Sequence, residues 1–175
     1  MIRKFAFGAA IVMAATSGAA FAQASATAST TGTSRIVQAI TITKTTDLAF
    51  GSVVRSAAAG TNTVTIDAST GARSISGAGG GVLATSTSCR ATYTVDGEGG
   101  QTFSITPDAT FNMTRSGGAE TITVTPTASS ATGTLSGSIG SAGSAAIGVG
   151  GSFPVTNATV TGNYTGTFNV VVAYN

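Results

Sequence analysis

Asp96 and Glu98 are the closest two acids in the chain, held two residues apart in the stretch Asp96-Gly97-Glu98-Gly99-Gly100. A carboxylate pair of this kind can bind calcium or share the acid and base roles of glycoside hydrolysis. Calcium, however, takes about six to eight oxygens, and no further acid stands nearby. The pair therefore reads as part of a solvated bend. Cys89 is the single cysteine and there is no histidine. This removes imidazole and cysteine-cluster metal sites, an internal disulfide, and every nucleophile activated by a histidine base. The thiol could cross-link two chains in an oxidising compartment, but its register with Tyr93 and Val95 predicts a buried, inert side chain. Residues 77–81, Gly-Ala-Gly-Gly-Gly, lack the Lys-Ser/Thr pair and the helix of a phosphate loop, so they read as a turn. No catalytic residue, metal ligand or cofactor-binding residue is assigned, and the expected class is not an enzyme.

The elements that would position these residues begin after a leader. Arg3 and Lys4 precede an apolar stretch from Phe5 to Ala15, and Ala20-Phe21-Ala22 supplies a small-residue cleavage site. Residues 1–22 are thus expected to be a signal peptide, 23–34 a flexible arm of small residues, and 35–175 a single domain. The apolar run is shorter than the roughly 20 residues needed to span a bilayer, so no transmembrane segment is expected in the mature protein. The expected location is extracytoplasmic, in the periplasm or at the cell surface. Loss of Arg3 and Lys4 with the leader leaves the 6 acidic residues balanced by as many basic ones. Neither nucleic acid nor an anionic membrane is implied as a partner. Charged residues make up only 8% of the chain, and so weakly charged a surface associates readily.

The 24 glycines and abundant threonine favour turns and strands over helices. Ile36, Ile40 and Ile42 alternate with Val37, Ala39, Thr41 and Thr43, and a short apolar piece follows at Leu48-Ala49-Phe50. Further period-two segments lie at 63–66, 83–95, 102–106, 121–125, 135–139, 147–155 and 164–174, with Gly-rich turns between them. The pattern predicts an all-β fold, an immunoglobulin-like or pilin-like antiparallel sandwich of about seven to nine strands. The recurring T-x-T pairs have no fixed period, which argues against stacked coils and leaves threonine as the filler of solvent-facing strand positions.

The last strand stands apart. Phe168, Val170, Val172 and Tyr174 place one apolar face along the end of the chain, with Tyr164 and Gly162 before them. Such a strand can insert alternate side chains into a groove or pair its backbone with a partner strand. The spacing of Gly162, Phe168, Val170, Val172 and penultimate Tyr174 resembles the C-terminal motif of chaperone-usher pilus subunits. Leu48-Ala49-Phe50-Gly51 and Ser88-Cys89-Arg90 with Tyr93-Thr94-Val95 resemble segments of spore-coat-U-like pilins. More closely, the chain resembles the secreted bacterial domain-of-unknown-function 4402 family. The segments that carry this are 40–51, Gly97-Glu98-Gly99-Gly100, and the stretch from Gly162-Asn163-Tyr164 to Tyr174-Asn175.

The pilin resemblance implies self-assembly by β-strand addition and a periplasmic chaperone as partner. It makes Gly162, Tyr164, Phe168, Val170, Val172 and Tyr174 the assembly strand and Ile36, Ile40 and Ile42 the better donor strand. The cysteine that would pair with Cys89 in such pilins is missing near 40–42. The expected function is a secreted structural or interaction protein without a cofactor. The alternative is a self-contained β-sandwich module that binds a glycan or another surface ligand.

Overall fold

The computed structural model describes residues 25–175; the expected signal peptide lies outside the described residues. Residues 25–34 are exposed and carry no regular structure, and Arg35–Asn175 forms a compact unit. Alternation of threonine with branched apolar residues produces the strands, and the glycines separate them. In order these are β1 (Thr41–Thr46), β2 (Val53–Val54), β3 (Thr61–Ile66), β4 (Arg73–Gly77), β5 (Val82–Leu83), β6 (Ala91–Glu98) and β7 (Thr102–Pro107). They continue with β8 (Phe111–Arg115), β9 (Thr121–Ala128), β10 (Thr132–Thr134), β11 (Ala142–Thr156), β12 (Tyr164–Thr165) and β13 (Val170–Tyr174). No helix occurs among the described residues, and all pairings between the strands are antiparallel.

The 15-residue β11 organises the sheet. Val149 lies opposite both Ala91 and Ala128, and Gly151 opposite both Ile66 and Pro126. Strand β9 therefore occupies one edge of β11, while β6 and then β3 share the other. With β1 beyond β6, β4 beyond β3, and β8 and β12 beyond β9, this makes one 8-stranded sheet. A 3-stranded sheet, β10-β7-β13, and the ribbon β2-β5 complete the sandwich-like fold.

Two apolar clusters lie along β11. One joins Ile147 and Val95 to Phe103, Ile105 and Leu135, and so seats the 3-stranded sheet against the large one. The other gathers Phe153, Val155, Val64, Ile66, Val124 and Phe50, with the Phe50 and Phe153 rings edge to face at 4.8 Å. Between the clusters β11 reads Gly148-Val149-Gly150-Gly151. The turn after β3 crosses here: a Cβ on Gly150 would run into the Ile66 carbonyl and the Ala68 backbone, and one on Gly148 into the Ala68 carbonyl. Arg90 fixes the same turn by donating to the Ala68 carbonyl at 2.8 Å. The T-x-T residues occupy exposed or half-buried positions, as at Thr121, Thr123 and Thr125 of β9, while Val124 between them is fully buried.

Several sequence boundaries shift. The first strand begins at Thr41, so Ile36 lies outside it and is 92% exposed. The expected strand 83–95 divides into β5 and β6, joined by a segment whose isolated bridge is Ala49 to Cys89. Residues 135–139 form no strand, although Leu135 is buried.

Candidate functional site

The stretch Tyr164 to Tyr174, expected as one continuous strand, is two edge pieces in different sheets. Tyr164 pairs with Arg115 on β8, whereas Val170–Tyr174 pairs with β7 alone. Gly166 accounts for part of the break, since a Cβ there would strike the Asn112 carbonyl. Asn169 then restarts the strand: its amide donates to Asp108 Oδ2 at 2.7 Å and its carbonyl accepts the Asp108 amide at 2.9 Å. The alternation itself holds across the break. Tyr164, Phe168, Val170, Val172 and Tyr174 are half-buried and the residues between them exposed. Phe168 stacks on Phe111 at 4.9 Å. Gly162 sits where a Cβ would come within 2.7 Å of Arg115 Cδ, and Arg115 is itself held by Glu120 at 2.7 Å.

Glu98 departs furthest from the sequence reading. It is not part of a solvated bend but only 6% exposed, while Asp96 stays exposed. Glu98 Oε1 accepts the Gly140 amide and Oε2 the Gln38 amide, the latter at 3.1 Å. These two bonds, with the Arg35 charge, hold its carboxyl below the ordinary carboxylate range, the Gly140 bond contributing most. The Tyr174 hydroxyl accepts the Glu98 amide at 2.7 Å and donates to the Gln38 carbonyl at 2.8 Å. The flanking glycines make room for this. A Cβ on Gly97 would strike the Tyr174 hydroxyl, and one on Gly99 would lie 2.6 Å from the Ser138 carbonyl. The one signal in the sequence is an acid alternating with glycines in place of exposed polar residues. Its partners, 60 and 76 residues away, leave no mark on the local pattern.

The cluster joins residues next to two strand edges, Gln38 before β1 and Tyr174 at the end of β13. Among the described residues, strand β1 pairs only with β6, and β13 only with β7. Ile40 and Ile42 from one side and Val170, Val172 and Tyr174 from the other pack against the same apolar cluster. The β1 edge carries Lys44, paired with Asp47 at 2.5 Å, and a register shift between Lys44 and Thr46. No charged side chain occurs from Asn169 to Asn175, and Val171 is 60% exposed. Separately, a groove of about 810 Å³ runs between 48–55 and 159–164, floored by Met113, Ile122, Phe153 and Val155. Cys89, expected to be buried, is half-buried, because its segment lies outside β6; its thiol donates to the Asp47 carbonyl at 3.3 Å. No helix among the described residues is long and apolar enough to cross a membrane.

These features define an all-antiparallel, sandwich-like protein whose last strand ends in a side-chain and backbone hydrogen-bond cluster. The model of the family "Domain of unknown function (DUF4402)" matches residues 40–174, and the chain belongs to that family. No curated protein and no solved structure matches it.

Proposed function

We propose that the chain is a secreted, non-catalytic structural subunit, pilin-like in design, that assembles with its own copies by β-strand addition. The observation that carries this reading is the bare edge of β13. Soluble proteins guard long sheet edges with charge, bulges or cover. Here β1 has a lysine and a bulge, whereas β13 has neither. A strand laid along β13 would satisfy its open backbone groups and cover half-buried Val172, which packs on the same cluster as Ile42. The donor in this reading is the N-terminal stretch of a second copy, the arm together with the residues up to Gln38, with Ile36 and Val37 as its exposed apolar side chains. Ile40 and Ile42, the other sequence candidates, are already engaged in their own core. A periplasmic chaperone would occupy the same edge before assembly, and export would place the product at the cell surface.

Light scattering and electron microscopy of the exported protein, alone and with a chaperone and usher supplied, test the proposal. Val171→Lys should leave a folded monomer that no longer forms polymer. Assembly undiminished by this change, or a wild-type protein that stays monomeric in every arm, would refute it. The groove beside 48–55 favours a second reading, a self-contained module for a glycan or another surface ligand. Ligand binding by a monomer and insensitive to Val171→Lys would select it.

A further inference from the structure

Gln38 is the point at which the fold takes hold of the arm. Among the described residues, Arg35, Ile36 and Val37 make no hydrogen bond, and β1 begins only at Thr41. Both backbone groups of Gln38 are held by side chains and not by a neighbouring strand: the amide by Glu98 and the carbonyl by Tyr174. The Tyr174 hydroxyl also takes the Glu98 amide, and the Glu98 carboxylate also takes the Gly140 amide. Three positions distant in sequence thus close one ring of hydrogen bonds. It is built into the fold at some cost, because Glu98 is buried with no cation within ion-pair distance among the described residues. Gly97, Gly99 and Gly143 all sit where a Cβ would collide with atoms around it. A bend serving only to connect β6 to β7 needs no buried acid.

We infer that Glu98 and Tyr174 are positioning residues that clasp the root of the arm to the end of β13, coupling release of the arm to the state of that edge. Drawing Gln38 away breaks the bond to the Tyr174 hydroxyl and loosens the last residue of the edge strand. Fixing β13 in place favours the clasp and shortens the free arm. The coupling is reciprocal, as any linkage between two equilibria must be. Its use in assembly rests on the strand-addition reading; the clasp itself does not.

The Arg35-Ile36 bond offers a direct measurement, since Arg35 is exposed and Gln38 stands three residues beyond it. A protease must draw several residues on each side of the bond into extended form, so trypsin cleavage here reports release of Gln38. Tyr174→Phe removes the hydroxyl and keeps the ring in its cluster; Glu98→Gln keeps the volume and removes the charge. Each should raise the rate of cleavage at Arg35 by roughly three- to ten-fold in the exported, full-length chain, as the loss of one hydrogen bond predicts. The amides of Gln38 and Glu98 should lose exchange protection together in Tyr174→Phe, while cleavage at Arg115 stays unchanged. Unchanged cleavage at Arg35 in both variants, or equal acceleration at Arg35 and Arg115, would overturn the clasp. If Tyr174→Phe frees Arg35 but the wild type never polymerises, the clasp stands and strand addition falls. If the wild type polymerises and neither variant alters cleavage at Arg35, strand addition stands and the clasp falls.

Discussion

Replacing Gly150 by alanine tests whether the crossing of β11 by the turn after β3 is what joins the two apolar clusters. The new methyl group would meet the Ile66 carbonyl oxygen, with the Ala68 nitrogen at 2.7 Å and its Cα at 3.0 Å. All three are backbone atoms, so no side chain can swing aside. Relief requires lifting the turn, which would pull Ile66, 1% exposed, from its cluster and break the Arg90 bond to Ala68. Overpacking of this kind costs about 1 to 3 kcal/mol, and partial loss of the Ile66 burial adds to it, from a full value of roughly 1.5 to 3 kcal/mol. A total near 3 kcal/mol lowers the melting temperature by about 6 to 12 °C in a domain of this size. Gly151 is the internal control, one residue along the same strand. There the added Cβ comes no closer than 3.1 Å to the Thr125 carbonyl and 3.4 Å to Pro126. The alanine should change stability by less than about 1 kcal/mol, because a strand gains roughly that much when glycine is replaced. Urea unfolding of both variants followed by circular dichroism gives the comparison. Gly150→Ala as stable as wild type, or more stable than Gly151→Ala, would refute the account of the crossing.

Two further outcomes follow from the site. Since the Glu98 carboxyl is held below its ordinary value of 4.5, its contribution to stability is complete above that value and is lost as pH falls through the depressed one. The Gln38 and Gly140 amide resonances should move together in that acid range and in no higher one, with Arg35 the cation bearing on the titration; Glu98→Gln should abolish the inflection. Glu120 and Asp67 also titrate low, which is why site-resolved NMR and not global stability is the readout. Cys89, half-buried, should be labelled by a small thiol reagent without global unfolding, at a rate insensitive to sub-denaturing urea. Labelling that requires unfolding would show that the Asp47 contact closes the site more fully.

Period-two alternation is a good guide wherever large apolar side chains mark it. The pairs Phe103 with Ile105 and Ile122 with Val124 locate β7 and β9, and Val64 with Ile66 locates β3. It gives out where small residues fill both faces. The sequence Ala142-Gly143-Ser144-Ala145-Ala146 lies outside the period-two segments, in the Gly-rich turn before 147–155, yet forms the first third of β11, because β6 fixes it by backbone pairing. Strand β4 escapes the pattern because it carries one apolar residue, Ile75. Ile36 errs in the other direction: it extends the alternation of Ile40 and Ile42, but no neighbouring strand is there to pair it. For the site, parity correctly groups Val170, Val172 and Tyr174 on one face. The burial of Glu98 is marked in the sequence only by the glycines around it, since isolated acids are nearly always solvated and its carboxylate partners are a backbone amide at Gln38 and another at Gly140.

The sheet edges differ in how they are guarded, and that difference is what the proposed strand addition draws on. Of the edge strands with five or more residues, β4 opens on a charged residue, Arg73, whose guanidinium donates to the Phe50 and Ala84 carbonyls at 2.8 and 2.6 Å. Strand β1 is interrupted by its bulge and carries Lys44. Strand β10 has three residues and β12 two, too short to template a partner. Only β13 presents a regular, uncharged run, and it ends at the residue that grips Gln38. Stability alone does not call for this distribution, because a charged residue at exposed Val171 would cost the core nothing. An open edge near the segment Arg35 to Gln38, with exposed Ile36, is the arrangement that the proposed strand addition between copies would use. Moving the guard, with Lys44→Val on β1 and Val171→Lys on β13, should therefore not restore assembly: the bulge keeps β1 from accepting a strand even when its charge is gone. Polymer formed by this double variant, seen by light scattering and electron microscopy, would show that charge alone guards the β1 edge.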